Sequence, residues 1–220
     1  MSSLPLVAER LAIVRERIRA AGGTDVQVVA VTKTFGVDAV LAAAAAGSDG
    51  IGENYAQELI AKLTALDDAD RRSIPPVHFI GQLQTNKVRS IAPYVDVYET
   101  VDRESLAAEV AKRVPGATVL VQVRPDGEPH GKGGCALDEA PRLVERCREL
   151  GLHPVGMMTV GPTEGGPEAA RAGFRAVRTL VDRLGLAVCS MGMTADLEVA
   201  VQEGSTQVRV GSALFGPRAS

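Results

Sequence analysis

Lys33 stands at the end of the first β-branched apolar run of the chain, within the segment Thr32-Lys33-Thr34-Phe35. If that run is a buried strand, the lysine is partly desolvated, and a neighbouring cation such as Arg209 adds to the effect. Both influences lower the pKa of an amine and make it nucleophilic towards a carbonyl group. A strand-end lysine more often extends into solvent. However, the chain has only five lysines, which modestly favours a functional role.

Two segments near the end of the chain carry groups suited to binding an anion. They are Ser190-Met191-Gly192-Met193-Thr194 and Arg209-Val210-Gly211-Ser212. A glycine lets the backbone approach an anion closely, and N–H groups and hydroxyls then supply donors. Thr194 is also placed to cap the next helix. Either segment alone resembles a plain turn, but the two lie at the ends of the last two predicted strands, where parallel barrels commonly hold phosphate. A phosphorylated aldehyde would therefore satisfy both the lysine and these segments.

The elements that must position these residues alternate between short apolar runs and amphipathic stretches. An amphipathic helix comes first and ends at Gly22-Gly23; its apolar residues are Val7, Leu11, Val14 and Ile18. Eight strands follow, with the near-continuous apolar character of strands buried on both faces. They are predicted at residues 26–32, 49–52, 77–81, 95–100, 118–124, 154–159, 187–191 and 206–211. Seven helices are predicted between them, at 37–46, 57–66, 86–92, 103–113, 138–150, 168–184 and 195–202.

Eight strands separated by seven helices indicate an α/β fold, a single (β/α)8 TIM-type barrel. The prediction is one domain over residues 1–220, with the extra N-terminal helix covering a gap in the outer ring. In a closed barrel strand one pairs with strand eight, which makes Lys33 a neighbour of segment 209–212. The rival fold is an open doubly wound sheet. It would need a Gly-rich phosphate turn after strand one, and the sequence has none there.

Composition and charge narrow the classes of partner. A net charge of −3 and a pI of about 5.7, with scattered basic residues, favour neither nucleic acid nor an anionic membrane as partner. No signal peptide is predicted, and the longest apolar run, 39–46, is far short of a membrane span.

Three cysteines without a C-x-x-C pattern indicate free thiols in a reducing cytoplasm. The three histidines are separated, so no metal site is predicted, and His78 is interpreted as a hydrogen-bonded core residue. The acidic and basic cluster at 67–72 is interpreted as a solvated loop.

A set of motifs along the whole chain resembles one known family. The motifs are Val29-Ala30-Val31-Thr32-Lys33-Thr34, Gly52-Glu53-Asn54-Tyr55, His78-Phe79-Ile80-Gly81-Gln82-Leu83-Gln84-Thr85-Asn86-Lys87, Gly156-Met157-Met158-Thr159, Ser190-Met191-Gly192-Met193-Thr194 and the segment 204–216. Together they resemble the YggS/PROSC group of pyridoxal phosphate homeostasis proteins (PLPBP), which is also called alanine racemase N-terminal-domain-like. Two features depart from the family pattern: Val77 stands where tryptophan is common, and the loop 127–134 is less rich in Glu and Ser but keeps a lysine followed by glycine.

The resemblance implies a cofactor, pyridoxal 5′-phosphate (PLP), and roles for matching residues. Lys33 would hold PLP as a Schiff base, and Arg209 would face the pyridine nitrogen. An arginine does not give up its proton, so it would leave that nitrogen unprotonated and weaken the cofactor as an electron sink. The remaining implied contacts are phosphate ligands and pocket-lining residues. The phosphate ligands would be Ser190, Thr194, Gly211 and Ser212, and the pocket would include Asn54 and Met191.

Two functions from different classes are compatible with these residues. One is a non-catalytic PLP carrier that buffers or delivers the cofactor in the cytoplasm as a monomer, with PLP-dependent apoenzymes as transient partners. The other is a fold-type III PLP-dependent enzyme, a minimal amino-acid racemase or a decarboxylase. Those enzymes add a C-terminal β-domain and use a tyrosine opposite the lysine. This sequence ends four residues after Gly216, and its tyrosines are Tyr55, Tyr94 and Tyr98. The carrier is therefore the favoured expectation.

Overall fold

A computed structural model of the chain describes residues 4–125 and 133–216. Its centre is a closed barrel of eight parallel strands, in which β4 pairs with β5 to complete the ring. The barrel strands are β1 (Gln27–Val31), β2 (Gly50–Glu53), β3 (Val77–Phe79), β4 (Val97–Val101), β5 (Thr118–Arg124), β7 (His153–Met158), β8 (Val188–Ser190) and β9 (Gln207–Val210). The prediction of a (β/α)8 barrel is thereby confirmed, and the open doubly wound sheet is excluded.

Ten α-helices surround the barrel within the described residues. They are α1 (Leu4–Ala20), α2 (Val37–Ala45), α3 (Ala56–Thr64), α4 (Asp68–Ser73), α5 (Thr85–Ile91), α6 (Glu104–Arg113), α7 (Ala140–Glu149), α8 (Arg171–Arg183), α9 (Leu197–Gln202) and α10 (Ser212–Phe215). Helix α1 buries Val7, Leu11, Val14 and Ile18 against β1, β9 and helices α2, α9 and α10. The extra N-terminal helix thus covers the outer ring as predicted.

Strand alternation divides the core into two layers. Val28 and Ala30 of β1 pack against the surrounding helices, so Val29 and Val31 point into the barrel. The same alternation on β9 turns Val208 and Val210 outwards and brings Gln207 and Arg209 inside. The interior of this barrel therefore carries polar side chains among the apolar ones, whereas barrels of this kind are mostly filled by branched apolar residues.

Four local features differ from the sequence prediction. The cluster at 67–72 is not a loop. It belongs to helix α4, whose N-terminus is capped by the Asp67 side chain accepting from the Asp70 N–H at 2.8 Å. A two-residue strand, β6 (Cys135–Ala136), pairs with the end of β5. The single helix predicted at 168–184 divides into a 3-10 turn (Pro167–Ala170) and α8. Helix α10 follows β9 directly, where no element was predicted.

Candidate functional site

A cavity of about 530 Å³ opens at the C-terminal ends of the barrel strands. This is the end at which enzymes and binding proteins of this architecture hold their ligands. Apolar side chains from the strand ends, such as Val31, Ile80 and Met158, form much of its wall. Six of the eight predicted site residues also line it: Lys33, Asn54, Thr194, Arg209, Gly211 and Ser212.

Lys33 enters the cavity from a tight turn after β1. Strand β1 pairs with β9 in the register Val29 opposite Arg209 and Ala30 opposite Val210. The predicted proximity of Lys33 to the end of β9 is therefore confirmed. On the other side of β1, Asn54 lies just beyond the end of β2 and also lines the cavity. A Cβ atom on residue 81 would approach the Asn54 carbonyl oxygen to 2.0 Å, so this close packing requires Gly81.

Two hydroxyl groups face one another at the rim. The Ser212 hydroxyl donates to the Thr194 Oγ1 at 3.2 Å, although the two residues are far apart in sequence. Thr194 does not cap the next helix, contrary to the prediction, because α9 begins only at Leu197. The Asp196 side chain instead accepts from the Met193 N–H at 2.6 Å and shapes the loop. The Thr194 hydroxyl is thus left on the cavity side.

Gly211 joins this rim to strand β1. A Cβ atom at this position would lie 3.3 Å from the Val31 carbonyl oxygen, closer than most Cβ contacts. The sequence predicts that this glycine lets the backbone approach an anion closely. The structure adds a packing reason, since the chain after β9 passes directly over the end of β1.

Arg209 forms the floor of the cavity and is 4% exposed. Its Nη1 donates to the Ser190 hydroxyl at 2.6 Å, and its Nη2 donates to the Thr159 carbonyl oxygen at 2.7 Å. Burial lowers the pKa of Arg209, and the charge of Glu99 acts in the opposite direction. A buried guanidinium needs such partners, because an unpaired buried charge is costly.

Glu99 is the anion at the centre of the barrel, and it is fully buried. Its carboxylate accepts from the Ser190 hydroxyl at 2.6 Å and from the Gln207 amide at 2.7 Å. The His78 Nδ1 lies 2.6 Å from the Glu99 Oε1. Burial alone would raise the pKa of Glu99, but the hydrogen bond and charge of His78, with the charge of Arg209, lower it overall. His78 is thus a hydrogen-bonded core histidine, as predicted.

Ser190 and Met191 are not brought to the cavity wall by their side chains. The Ser190 hydroxyl points into the barrel below the cavity, where it links Arg209 to Glu99. Met191 follows with the opposite orientation and packs in the helix-facing core, where its sulfur contacts the Cys189 thiol at 3.6 Å. The twofold alternation of a strand explains both positions. Neither Ser190, a predicted phosphate ligand, nor Met191, a predicted pocket residue, is among the described residues that line the cavity.

Several residues of the site were missed by sequence reasoning. Glu99 was the most detectable, since a carboxylate stands in the otherwise uncharged β4 sequence Val97-Tyr98-Glu99-Thr100-Val101. Gln82 and Gln122 also line the cavity and offer amide groups. Lys62 of α3 lies behind the site, fully paired and 7% exposed. The helical pattern of α3 gave no signal that this lysine is buried.

Metal sites, membrane-spanning helices or reactive cysteines among the described residues would indicate other functions. Among residues 4–125 and 133–216, no group of three or more His, Cys, Asp or Glu side chains could hold a metal ion. Over the same residues, none of the helices has the length and apolar character needed to cross a bilayer. Burial raises the pKa of Cys135 and Cys189 to about 12 and of Cys147 to about 11, which makes these thiols unreactive. The loop lysine Lys132 and His130 lie outside the described residues.

Comparison with known proteins gives the same family as the sequence motifs, over nearly the whole chain. Residues 4–219 match the family described as the alanine racemase N-terminal domain. The pyridoxal phosphate homeostasis protein of Pseudomonas aeruginosa is 39% identical, with 96% of each chain covered. The protein of the same name from Aquifex aeolicus is 37% identical, over 96% of this chain and 97% of the relative.

Solved structures show the same relationship. PipY of Synechococcus elongatus, in its structure with PLP bound, superimposes with a TM-score of 0.78 at 32% identity, covering 96% of this chain and all of PipY. Lysine decarboxylase from Selenomonas ruminantium gives a TM-score of 0.70 at 19% identity, and this chain matches only 61% of its length. At that identity the decarboxylase shows a shared fold and nothing further.

Proposed function

Because this chain belongs to the family of pyridoxal phosphate homeostasis proteins, we propose that it binds PLP covalently through Lys33 and buffers or delivers the cofactor instead of using it for turnover. The family assignment follows from the match over residues 4–219 and from relatives that are 37–39% identical over nearly the whole chain. PLP-dependent apoenzymes are the proposed transient partners. We further propose that the protein works as a monomer in the cytoplasm.

One observation carries the proposal: an amine, a guanidinium and a pair of hydroxyls converge on a single cavity. Lys33 offers the amine for the aldehyde of PLP, and the Thr194 and Ser212 hydroxyls offer donors for its phosphate. The cavity volume of about 530 Å³ lies in the range typical of cofactor sites. The residues present therefore fit the group. When bound, PLP supplies an electrophilic carbonyl and an aromatic ring able to accept electrons.

Arg209 would face the pyridine nitrogen of PLP from the cavity floor. Its guanidinium is held by the Ser190 hydroxyl and the Thr159 carbonyl oxygen, which leaves it little freedom to move aside. Because an arginine keeps its proton, it would donate to the ring nitrogen without protonating it. The ring would then be a weak electron sink, which favours holding the cofactor over carbanion chemistry.

The acid–base groups around the cavity also favour a carrier. Among the described residues that line it, there is no tyrosine or histidine to act as a second base opposite Lys33. Tyr55 is 49% exposed and does not line the cavity. Burial raises the pKa of the fully buried Tyr98 to about 12, well above the range of a useful acid–base catalyst.

Two assays distinguish the carrier from a minimal racemase: transfer of PLP to an apoenzyme, and racemisation of an amino acid. The PLP-loaded protein is mixed with a PLP-dependent apo-aminotransferase, and recovery of its activity is compared with that given by an equal amount of free PLP. We expect full recovery from the loaded protein. In parallel, racemisation of L-alanine by the loaded protein should stay near the rate of free PLP. Robust racemisation that disappears in Lys33→Ala would contradict the carrier and identify an enzyme.

A further inference from the structure

A buried lysine of α3 lies directly behind the segment that carries Lys33. The Lys62 ammonium donates to the Thr32 carbonyl oxygen at 2.8 Å and to the Glu53 Oε1 at 2.7 Å. Glu53 is 1% exposed, and its Oε1 also accepts from the Thr32 hydroxyl at 2.6 Å. Lys62 and Glu53 together therefore fix both the main chain and the side chain of the residue immediately before Lys33.

The residue immediately after Lys33 has a strained backbone. Thr34 has φ of +67° and is the only non-glycine residue in the described ranges with positive φ. For a β-branched residue this conformation is a true outlier, and it persists only when the surroundings impose it. The turn is closed by the Phe35 N–H, which donates to the Thr32 carbonyl oxygen at 3.1 Å. Lys33 thus projects from a turn that its own sequence does not favour.

The same helix also holds this strained residue. The Thr34 N–H donates to the Glu58 Oε2 at 2.8 Å, and the Lys62 ammonium lies 3.6 Å from that oxygen. Lys62 therefore connects the carbonyl before Lys33 with the carboxylate that binds the amide after it. Lys62 and Glu58 are absent from the cavity lining, and their contacts are with the residues on either side of Lys33.

We propose that Lys62 and Glu58 form a positioning clamp on α3 that holds the strained 32–35 turn and so aims the Lys33 amine into the cavity. Neither residue is a catalytic residue, since both act on Lys33 through its neighbours. The inference rests on the proposed function in one respect, namely that Lys33 is the residue that reacts with the PLP aldehyde. In that reaction the neutral amine would form a C=N double bond to the aldehyde carbon, and the aldehyde oxygen would leave as water with the two amine protons.

A purely stabilising role explains this arrangement less well. Buried ion pairs often contribute no more stability than apolar side chains of similar size, because both charges must be desolvated. Burial is the largest influence on Glu53 and raises its pKa, in spite of hydrogen bonds from Lys62 and Thr32. Within the described structure its second oxygen, Oε2, has no hydrogen-bond partner. The Lys62–Glu53 pair is therefore costly, and what it holds in place is Thr32, the residue immediately before Lys33.

The clamp is tested with two variants and a matched control. Glu58→Ala removes the acceptor of the Thr34 N–H, and Lys62→Met removes the donor to Thr32. Glu104→Ala is the control, since Glu104 is likewise a first-turn glutamate, on α6, and pairs with Arg142 at the surface. Because Glu58 is partly exposed, its variant keeps the test decisive if Lys62→Met fails to fold.

The first readout needs no cofactor. Hydrogen exchange of the Thr34 amide in the PLP-free protein should be roughly tenfold faster in Glu58→Ala than in the control, which corresponds to about 1.4 kcal/mol. Exchange of the β1 amides should not change. Unaltered exchange at Thr34 would overturn the clamp.

The second readout follows Lys33 itself. With PLP and borohydride, the initial rate of pyridoxyl incorporation at Lys33 should fall roughly tenfold in both clamp variants. Binding of pyridoxine 5′-phosphate, which has the phosphate but no aldehyde, should stay unchanged. Thr34→Gly removes the strain, since glycine accepts positive φ freely, and should restore the incorporation rate in the Glu58→Ala background.

The outcomes separate this inference from the function on which it rests. Rates in both clamp variants equal to the control, or no rescue by Thr34→Gly, would overturn the clamp. If the wild-type protein itself gained no pyridoxyl group on Lys33, the proposed function would fail, and the Thr34 exchange rates would still decide whether the clamp holds the turn.

Discussion

The Thr194 and Ser212 hydroxyls come from different strand ends and meet at 3.2 Å on the cavity rim. If they bind the PLP phosphate, the double variant Thr194→Ala, Ser212→Ala loses two charge-assisted donors, each contributing about 1.5–3 kcal/mol. We expect PLP affinity to fall by roughly a hundredfold or more in an absorbance titration. Thr179→Ala, which removes an exposed hydroxyl from α8, is the control. An unchanged affinity in the double variant would place the phosphate elsewhere.

Glu99 is expected to stabilise the barrel in a pH-dependent way. Its pKa in the folded chain is lower than the ordinary value of 4.5. Its contribution is therefore fully present above pH 4.5 and is lost as the pH falls through the lower folded value. Glu99→Gln should reduce the free energy of unfolding at pH 7 by about 3 kcal/mol, because it leaves buried Arg209 without its anion.

Urea unfolding of both proteins between pH 7 and pH 3 measures this difference. The gap between wild type and Glu99→Gln should narrow as the pH falls below 4.5. A constant gap over the whole range would show that the Glu99 charge is not the stabilising feature. A Glu109→Gln variant on α6 serves as the control, because Glu109 is only partly buried and pairs with Arg113, and its stability should stay close to that of wild type.

The sequence indicated Lys33, Arg209 and the two rim hydroxyls, because strand ends are recognisable from apolar runs. The sequence could not indicate which side chains point into the barrel interior below the cavity. Ser190 and Met191 are adjacent, yet one faces the interior network and the other the helix layer. Which of two neighbours faces inwards depends on the strand register, and a shift of one residue exchanges the two faces. Glu99 and Lys62 were missed because their partners come from distant elements.

At the scale of elements, α1 is joined to the loop that carries Thr194. The Arg17 guanidinium donates to the Thr194 carbonyl oxygen at 3.0 Å and to both oxygens of Glu198, at 2.6 and 2.9 Å. Helix α1 thus does more than cover the barrel: it holds one wall of the cavity. The apolar pattern predicted the helix, but no local signal showed that its arginine reaches across to a distant loop.

Removing this connection should affect binding more than stability. Partly exposed ion pairs contribute at most about 1 kcal/mol, so Arg17→Ala should weaken PLP binding by roughly threefold and barely change the thermal unfolding midpoint. Arg19→Ala is the matched control, since Arg19 lies on the same helix and pairs only locally with Glu16 among its described contacts. Equal PLP affinities in the two variants would contradict the connection.

The two helices that escaped prediction are too short to show an apolar period. Helix α4 depends on the Asp67 cap, and its sequence, Asp68-Ala69-Asp70-Arg71-Arg72-Ser73, has no apolar periodicity to reveal it. Helix α10 has only four residues, and its Leu214 and Phe215 are buried against α1 and the loop after β1. Helix α10 is therefore determined by tertiary contacts, whereas α4 depends on a local cap. The long elements, by contrast, were found from their own periodicity.

For the whole molecule, the barrel could be predicted because alternating strands and helices allow few closed arrangements. The polar interior could not, since it arises from His78, Glu99, Gln207 and Arg209 on three different strands. The proposal of one domain predicts that the chain unfolds in a single cooperative step. Among the described residues that line the cavity, Lys33 is the one lysine.

The most direct test of the account maps borohydride-fixed pyridoxyl groups over all five lysines of the PLP-treated protein. We predict that the purified protein is yellow and that mass mapping finds the adduct on Lys33 alone. Lys62 should stay unmodified, because it is buried among carboxylates and a carbonyl oxygen. Lys33→Ala should remove the adduct, and Lys87→Ala should leave it in place. An adduct on Lys87 or Lys132, with Lys33 unmodified, would contradict the account.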